Sequence, residues 1–192
     1  GAVRGVPNAG RDIGPFLTEF GKELVANYDI VGHLHTKKSA ALANPEFTAR
    51  WTSFLYENLI GGDRGGQMID RILAAFAADD QLGLVFAEDP HIMSWSRNES
   101  VARDLAKRLN VADLPTSFNF PIGTMFWMRS EALRPFVDLG LGWQDYPEEP
   151  VALDGTMLHA AVPTTATLTL TDLGAMVQAG VAAIGAVNPA DV

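Results

Sequence analysis

Tyr28-Asp-Ile-Val-Gly-His-Leu-His35 runs without a break into Thr36-Lys37-Lys38-Ser39. A short apolar stretch that ends in a polar loop reads as a buried strand. Working outward, residues 8–15 form a Gly-rich turn, Asn8-Ala-Gly-Arg-Asp-Ile-Gly-Pro15, that leads into an apolar-periodic helix over 15–27 with proline in its first turn. Residues 2–6 read as the end of a further strand. Downstream, helical periodicity covers 47–59 and, after the glycine turn 61–66, residues 68–78. A second buried strand follows over 81–87, a surface helix over 99–109, an aromatic strand over 120–128 and a short helix over 131–137. Strands that alternate with helices in this way predict an α/β fold built on a mixed, largely parallel sheet flanked by helices. Ligands of such sheets gather beyond the carboxyl ends of the strands, which makes the loop after His35 a site candidate by position.

The chain has 192 residues, 47% hydrophobic and 19% charged, with 18 Gly, 11 Pro and no Cys. That length suits one compact core, and the composition is globular. Fourteen basic residues against 23 acidic ones give a net charge of −9, which disfavours nucleic acid and anionic lipid as partners. Without cysteine there is no disulfide, zinc thiolate or cysteine nucleophile, in keeping with a reducing compartment. No apolar run is long enough to span a bilayer, so a cytoplasmic protein is expected, peripheral to the inner membrane face at most. Every Lys and Arg lies at or before Arg134, so charge divides a mixed-charge body from an acidic and then nearly uncharged stretch; the domain is taken as residues 1–160, followed by a tail of Ala, Thr, Val and Gly over 161–192. The tail is expected to be divergent and weakly structured, with a faint strand over 165–171 and a Gly-interrupted helix over 174–187.

Three groups of residues carry chemistry. His33 and His35 are two apart on a strand and share a face; with Lys37, Lys38 and the neighbouring hydroxyls they can bind a diphosphate. Two imidazoles can equally ligate a metal, or one can be a buried histidine bonded to backbone beside two solvated lysines. Arg11 and Asp12 stand between glycines ahead of a helix, where they can meet phosphate and sugar hydroxyls or where Asp12 can simply cap the helix. The turn has neither the dinucleotide-binding nor the P-loop glycine spacing. Asp145, Glu148, Glu149 and Asp154 form an acidic cluster, with Glu148 and Glu149 reading as a solvated loop and Asp154 as a general base or a helix cap.

Five strings in order, residues 6–16, 28–39, 82–89, 120–127 and 153–160, resemble the rhamnan synthesis protein F family. The most specific are Gly10-Arg-Asp-Ile-Gly-Pro-Phe16 and Leu34-His-Thr-Lys-Lys-Ser39. The family is associated with rhamnose-containing polysaccharides and looks like a branch of the A-type glycosyltransferase fold. The resemblance implies a glycosyltransferase with a nucleotide-sugar donor, such as dTDP-rhamnose, and a glycan acceptor, with other polysaccharide-assembly enzymes as associates. It implies donor and diphosphate contacts at Arg11, Asp12, His33, His35, Lys37 and Lys38, and an acceptor side at Gly123, Thr124 and Trp127. Asp154 falls where inverting members place the base. His33-Leu-His35 stands where A-type transferases carry a metal-binding Asp-x-Asp, so donor binding without a divalent metal is expected and no residue is assigned to metal. The strand–helix unit that binds the base is expected to be missing before the Asn8 turn.

A sugar-binding or degenerate partner module is the alternative outside enzymes. A metal hydrolase using His33, His35, His159 and Asp154 is a third reading, which would draw on three of the four His. A barrel hydrolase usually needs about 250 residues.

Overall fold

The computed structural model describes residues 3–36, 45–88, 95–111, 114–116, 121–147 and 178–180. The Gly-rich turn reverses the chain with Gly10 at φ 72° and Arg11 at φ 47°. A side chain at position 10 would put its Cβ 2.7 Å from Gly14 Cα, so the turn closes only on glycine. The helix that follows opens as a wide π-helical segment, Pro15–Phe20, and continues as α1, Gly21–Asn27. Proline suits the start because its missing N–H has no partner to lose there. Arg4 reaches Glu19 and Glu23 and covers the Phe20 ring, so residues 3–7 run alongside this helix and are not the strand end that the sequence suggests.

The sheet comprises β1 (Ile30–His33), β2 (Leu84–Phe86), β3 (Phe126–Arg129) and β4 (Gln178–Gly180), in the order β1-β3-β2-β4. β3 lies between β1 and β2 and is antiparallel to both, pairing His33 with Phe126 and Phe86 with Phe126. β4 is parallel to β2. The sheet is therefore mixed but not largely parallel. β1, β2 and β4 point one way, and the reversed strand inserted among them turns two of the three pairings antiparallel. Strand periodicity encodes which face a side chain takes, not the direction of its neighbour. β4 stands at 178–180, inside the helix anticipated over 174–187, and the rest of that range lies outside the described residues.

Alternation sorts the strands onto two faces. Val31, Leu84, Phe86, Phe126 and Met128 join a core with Phe16, Leu105 and Phe136, which brings in α4 (Glu99–Arg108) and α5 (Ser130–Asp138). On the opposite face, Ile30, Val85 and Trp127 pack with Met68, Ile72 and Phe76 of α3 (Met68–Ala78). Trp127 also meets Leu55 and Leu59 of α2 (Pro45–Leu59). Helices thus cover both faces, as the alternating pattern predicts. Arg129 fastens α3 to the sheet by donating to the carbonyls of Phe76, Asp79 and Leu82 at 2.6, 2.8 and 2.9 Å. The Phe76 and Asp79 carbonyls lie at the end of α3, where a cation is favoured, and that of Leu82 lies in the segment leading to β2.

Candidate functional site

The carboxyl end of β1 meets two turns that are far apart in sequence. One is the Gly10–Asp12 turn; the other is the short turn Ile122–Thr124 just before β3, with Gly123 at φ 75° and Thr124 at φ 60°. These two left-handed residues break the extended run, which is why β3 starts at Phe126 and not at 120. A β-branched residue at positive φ costs about 1–3 kcal/mol, which the surroundings must hold in place.

His33 is buried, its ring 4.5 Å from Phe16 and 5.3 Å from Phe126. Its Nδ1 donates to the Thr124 carbonyl. Burial pushes its pKa below the ordinary imidazole value; the Asp12 carboxylate and the bond to Thr124 pull upward, and neighbouring His35 adds a smaller push downward. His35 lies two residues on, its ring 5.6 Å from that of His33. Its Nε2 donates to the Gly123 carbonyl at 2.8 Å, with Thr124 Oγ1 at 3.0 Å and Asp12 Oδ2 at 3.5 Å. The Thr124 hydroxyl donates to the Asp12 carboxylate. Asp12 therefore reaches across to the other turn, whereas the helix it precedes has no side-chain cap at Gly14. Tyr56 of α2 completes the arrangement by donating to the His35 carbonyl at 3.0 Å.

The structure thus brings together Asp12, His33, His35, Gly123 and Thr124, with Arg11 on the same turn as Asp12. Trp127 is not with them. It points to the opposite sheet face, donates to the Leu59 carbonyl at 2.8 Å, and its ring covers Gly32, where a Cβ would lie 2.8 Å away. Asp145 accepts from the Gly142 N–H at 2.7 Å and closes its own short turn. Lys37, Lys38, Glu148, Glu149, Asp154 and His159, together with the strand anticipated over 165–171, lie outside the described residues. Tyr56 and Phe16 escaped the sequence reading as site residues. Nothing in the local pattern of α2 marks Tyr56, while Phe16 lay within a quoted motif but reads as core.

The resemblance to A-type transferases implies a divalent metal, and the donor set argues against a fit. His33 and His35 offer imidazole nitrogens, which bring no negative charge to a hard cation, and each ring already spends one nitrogen on a carbonyl, His33 Nδ1 on Thr124 and His35 Nε2 on Gly123. Among the described residues, no group of three or more His, Asp or Glu is placed to hold a metal ion. Nor is any helix among them long and apolar enough to cross a membrane.

The class the fold defines is a layered α/β domain with polar turns gathered at the end of one strand. The family follows from comparison: the chain belongs to the rhamnan synthesis protein F family, whose model matches residues 1–164. Two relatives from Xanthomonas campestris pv. campestris, strains B100 and ATCC 33913, each named "Uncharacterized protein WxcX", are 36% identical over 162 residues. The aligned part covers 82% of this chain and 22% of each relative, so the chain spans about a fifth of their length. No solved structure matches the chain. The family is named for the synthesis of rhamnan, a polysaccharide.

Proposed function

We propose that this chain is part of an inverting sugar transferase that assembles a surface polysaccharide from a nucleotide-activated deoxyhexose such as dTDP-rhamnose. The observation that carries this reading is the convergence of Asp12, Thr124 and the β1 end in a chain whose family is named for rhamnan synthesis. Donor diphosphate sits near Arg11, Lys37 and Lys38, and the acceptor approaches from the Gly123–Thr124 side. The acceptor hydroxyl oxygen attacks the anomeric carbon as the bond to the diphosphate breaks. The bonding pair leaves with the diphosphate, and the hydroxyl proton passes to the Asp154 carboxylate. Positive charge at the leaving group and a positioned base are the two contributions asked of the protein. The work is done in the cytoplasm, at the inner membrane face, beside other polysaccharide-assembly enzymes.

Calorimetry with dTDP tests the donor side. Replacing both Lys37 and Lys38 with Ala should weaken binding by about 2–4 kcal/mol, the worth of two charge-assisted bonds. Equal affinities would remove the lysines from the site. In a chain long enough to turn over, Asp154→Asn should lower transfer about 10²–10⁴-fold with donor affinity unchanged. Glycan binding with no transfer under any condition would instead favour a partner module.

A further inference from the structure

His33 and His35 stand where a diphosphate or metal ligand is expected, yet their donating nitrogens are engaged within the protein. His33 Nδ1 donates to the carbonyl of Thr124, and His35 Nε2 donates to the carbonyl of Gly123 at 2.8 Å. These are the two consecutive residues at positive φ, and Thr124, being β-branched, does not adopt that conformation by preference. Resting on the donor-site reading above, we propose that His33 and His35 are positioning residues: they clamp the Gly123–Thr124 turn in its left-handed form, so that the Thr124 hydroxyl and the Asp12 carboxylate are the groups presented to the sugar.

The clamp has a chemical fingerprint. A carbonyl only accepts, so His33 carries a hydrogen on Nδ1, and His35 carries one on Nε2, which lies nearer its carbonyl, 2.8 Å from Gly123, than Nδ1 does to that of Thr36 at 3.3 Å. The two rings therefore reach the turn through opposite nitrogens, although they lie only 5.6 Å apart, one at the last residue of β1 and the other two residues beyond it. An asparagine amide places its N–H near the position of Nδ1, and a glutamine amide near that of Nε2. The permitted replacements are thus crossed: His33→Asn and His35→Gln keep the clamp, whereas His33→Gln and His35→Asn lose it. A direct phosphate ligand gives no reason for this pattern. The Tyr56 hydroxyl bonded to the His35 carbonyl steadies the strand end from which the second ring projects.

The test uses the 192-residue chain. Side-chain 15N spectra of the unsubstituted protein should show Nδ1–H on His33 and Nε2–H on His35, each coupled to a backbone carbonyl. This measurement needs no variant and so does not depend on how well a substituted protein folds. The backbone couplings of Thr124 should keep their positive-φ values in His33→Asn and His35→Gln and lose them in the other pair. Affinity for dTDP-rhamnose should fall about tenfold in the losing pair, the effect of one hydrogen bond. A bare Nδ1 on His33, or Asn and Gln acting alike at each position, would overturn the clamp. If the unsubstituted protein shows the expected tautomers but binds no dTDP-rhamnose, the clamp stands and the donor-site reading falls.

Discussion

Removing the Thr124 hydroxyl should uncouple the two turns, and the size of the effect follows from the bond it makes. Thr124→Val keeps the β-branched shape, so the cost of positive φ nearly cancels between the two proteins. What is lost is a hydrogen bond to a carboxylate, which is worth about 1.5–3 kcal/mol. The Asp12 side chain is 23% exposed, so water takes up part of the loss and the lower end, about 2 kcal/mol, is expected. For a chain of this size that corresponds to a fall in Tm of about 4–8 °C. Asp12→Ala should cost a similar amount. The double variant should cost less than the sum by about 1–1.5 kcal/mol, because both single changes remove the same bond. Urea unfolding of the four proteins gives the cycle. Additivity to within about 0.5 kcal/mol would show that the two turns are not energetically joined and would refute the single-site argument.

Arg129→Ala should destabilise by about 3 kcal/mol in urea unfolding, because three carbonyls, two at the end of α3 and one in the segment leading to β2, lose a charged donor; Arg129→Lys should recover less than half, since a point charge cannot match the guanidinium fork. Gly61→Ala should lower the yield of folded protein severely, since a Cβ there would lie 1.9 Å from the Gly66 carbonyl oxygen at φ 109°. Gly66→Ala, at φ 58° with open space around it, should fold and cost only about 1–2 kcal/mol in urea unfolding. His33 has its pKa lowered from the ordinary 6.5. Below pH 6.5 the unfolded chain takes up a proton that the folded chain refuses, so this part of the stability is complete above 6.5 and is lost as pH falls toward the folded value. Urea midpoints across pH 4–8 should fall more steeply on the acid side for the unsubstituted protein than for His33→Asn, and parallel curves would contradict the assignment.

Residues 68–78 show how far the sequence could be read. Met68, Ile72 and Phe76 recur at helical spacing, and α3 occupies the span expected of it. Residues 15–27 were legible as a helix but not as one that opens in a π segment, since a wider turn leaves the apolar spacing nearly intact. The strand at 126–129 was visible through its aromatic alternation, and its reversal was not. Orientation depends on pairing with β1 and β2, each about forty residues or more away in sequence, and such partners leave no local mark. Val177-Gln-Ala-Gly180 offers neither alternation nor β-branched density, so the pairing of β4 with β2 overrides a local pattern that leans toward helix. In the site, Asp12, His33, His35 and Thr124 were each singled out, but Asp12 was assigned to the donor side and Thr124 to the acceptor side. Only the folded chain reveals that one hydrogen bond joins them.

The most direct measurement of the central claim is a titration of the 15N-labelled chain with dTDP-rhamnose in the presence of a chelator, followed residue by residue. The expected result is saturable shifts at Arg11, Asp12, Gly123 and Thr124 that follow a single binding curve and persist without divalent metal. Absence of saturable shifts would contradict a donor site at the end of β1. So would shifts confined to the cleft lined by Leu17, Thr18, Lys22, Phe136 and Leu141.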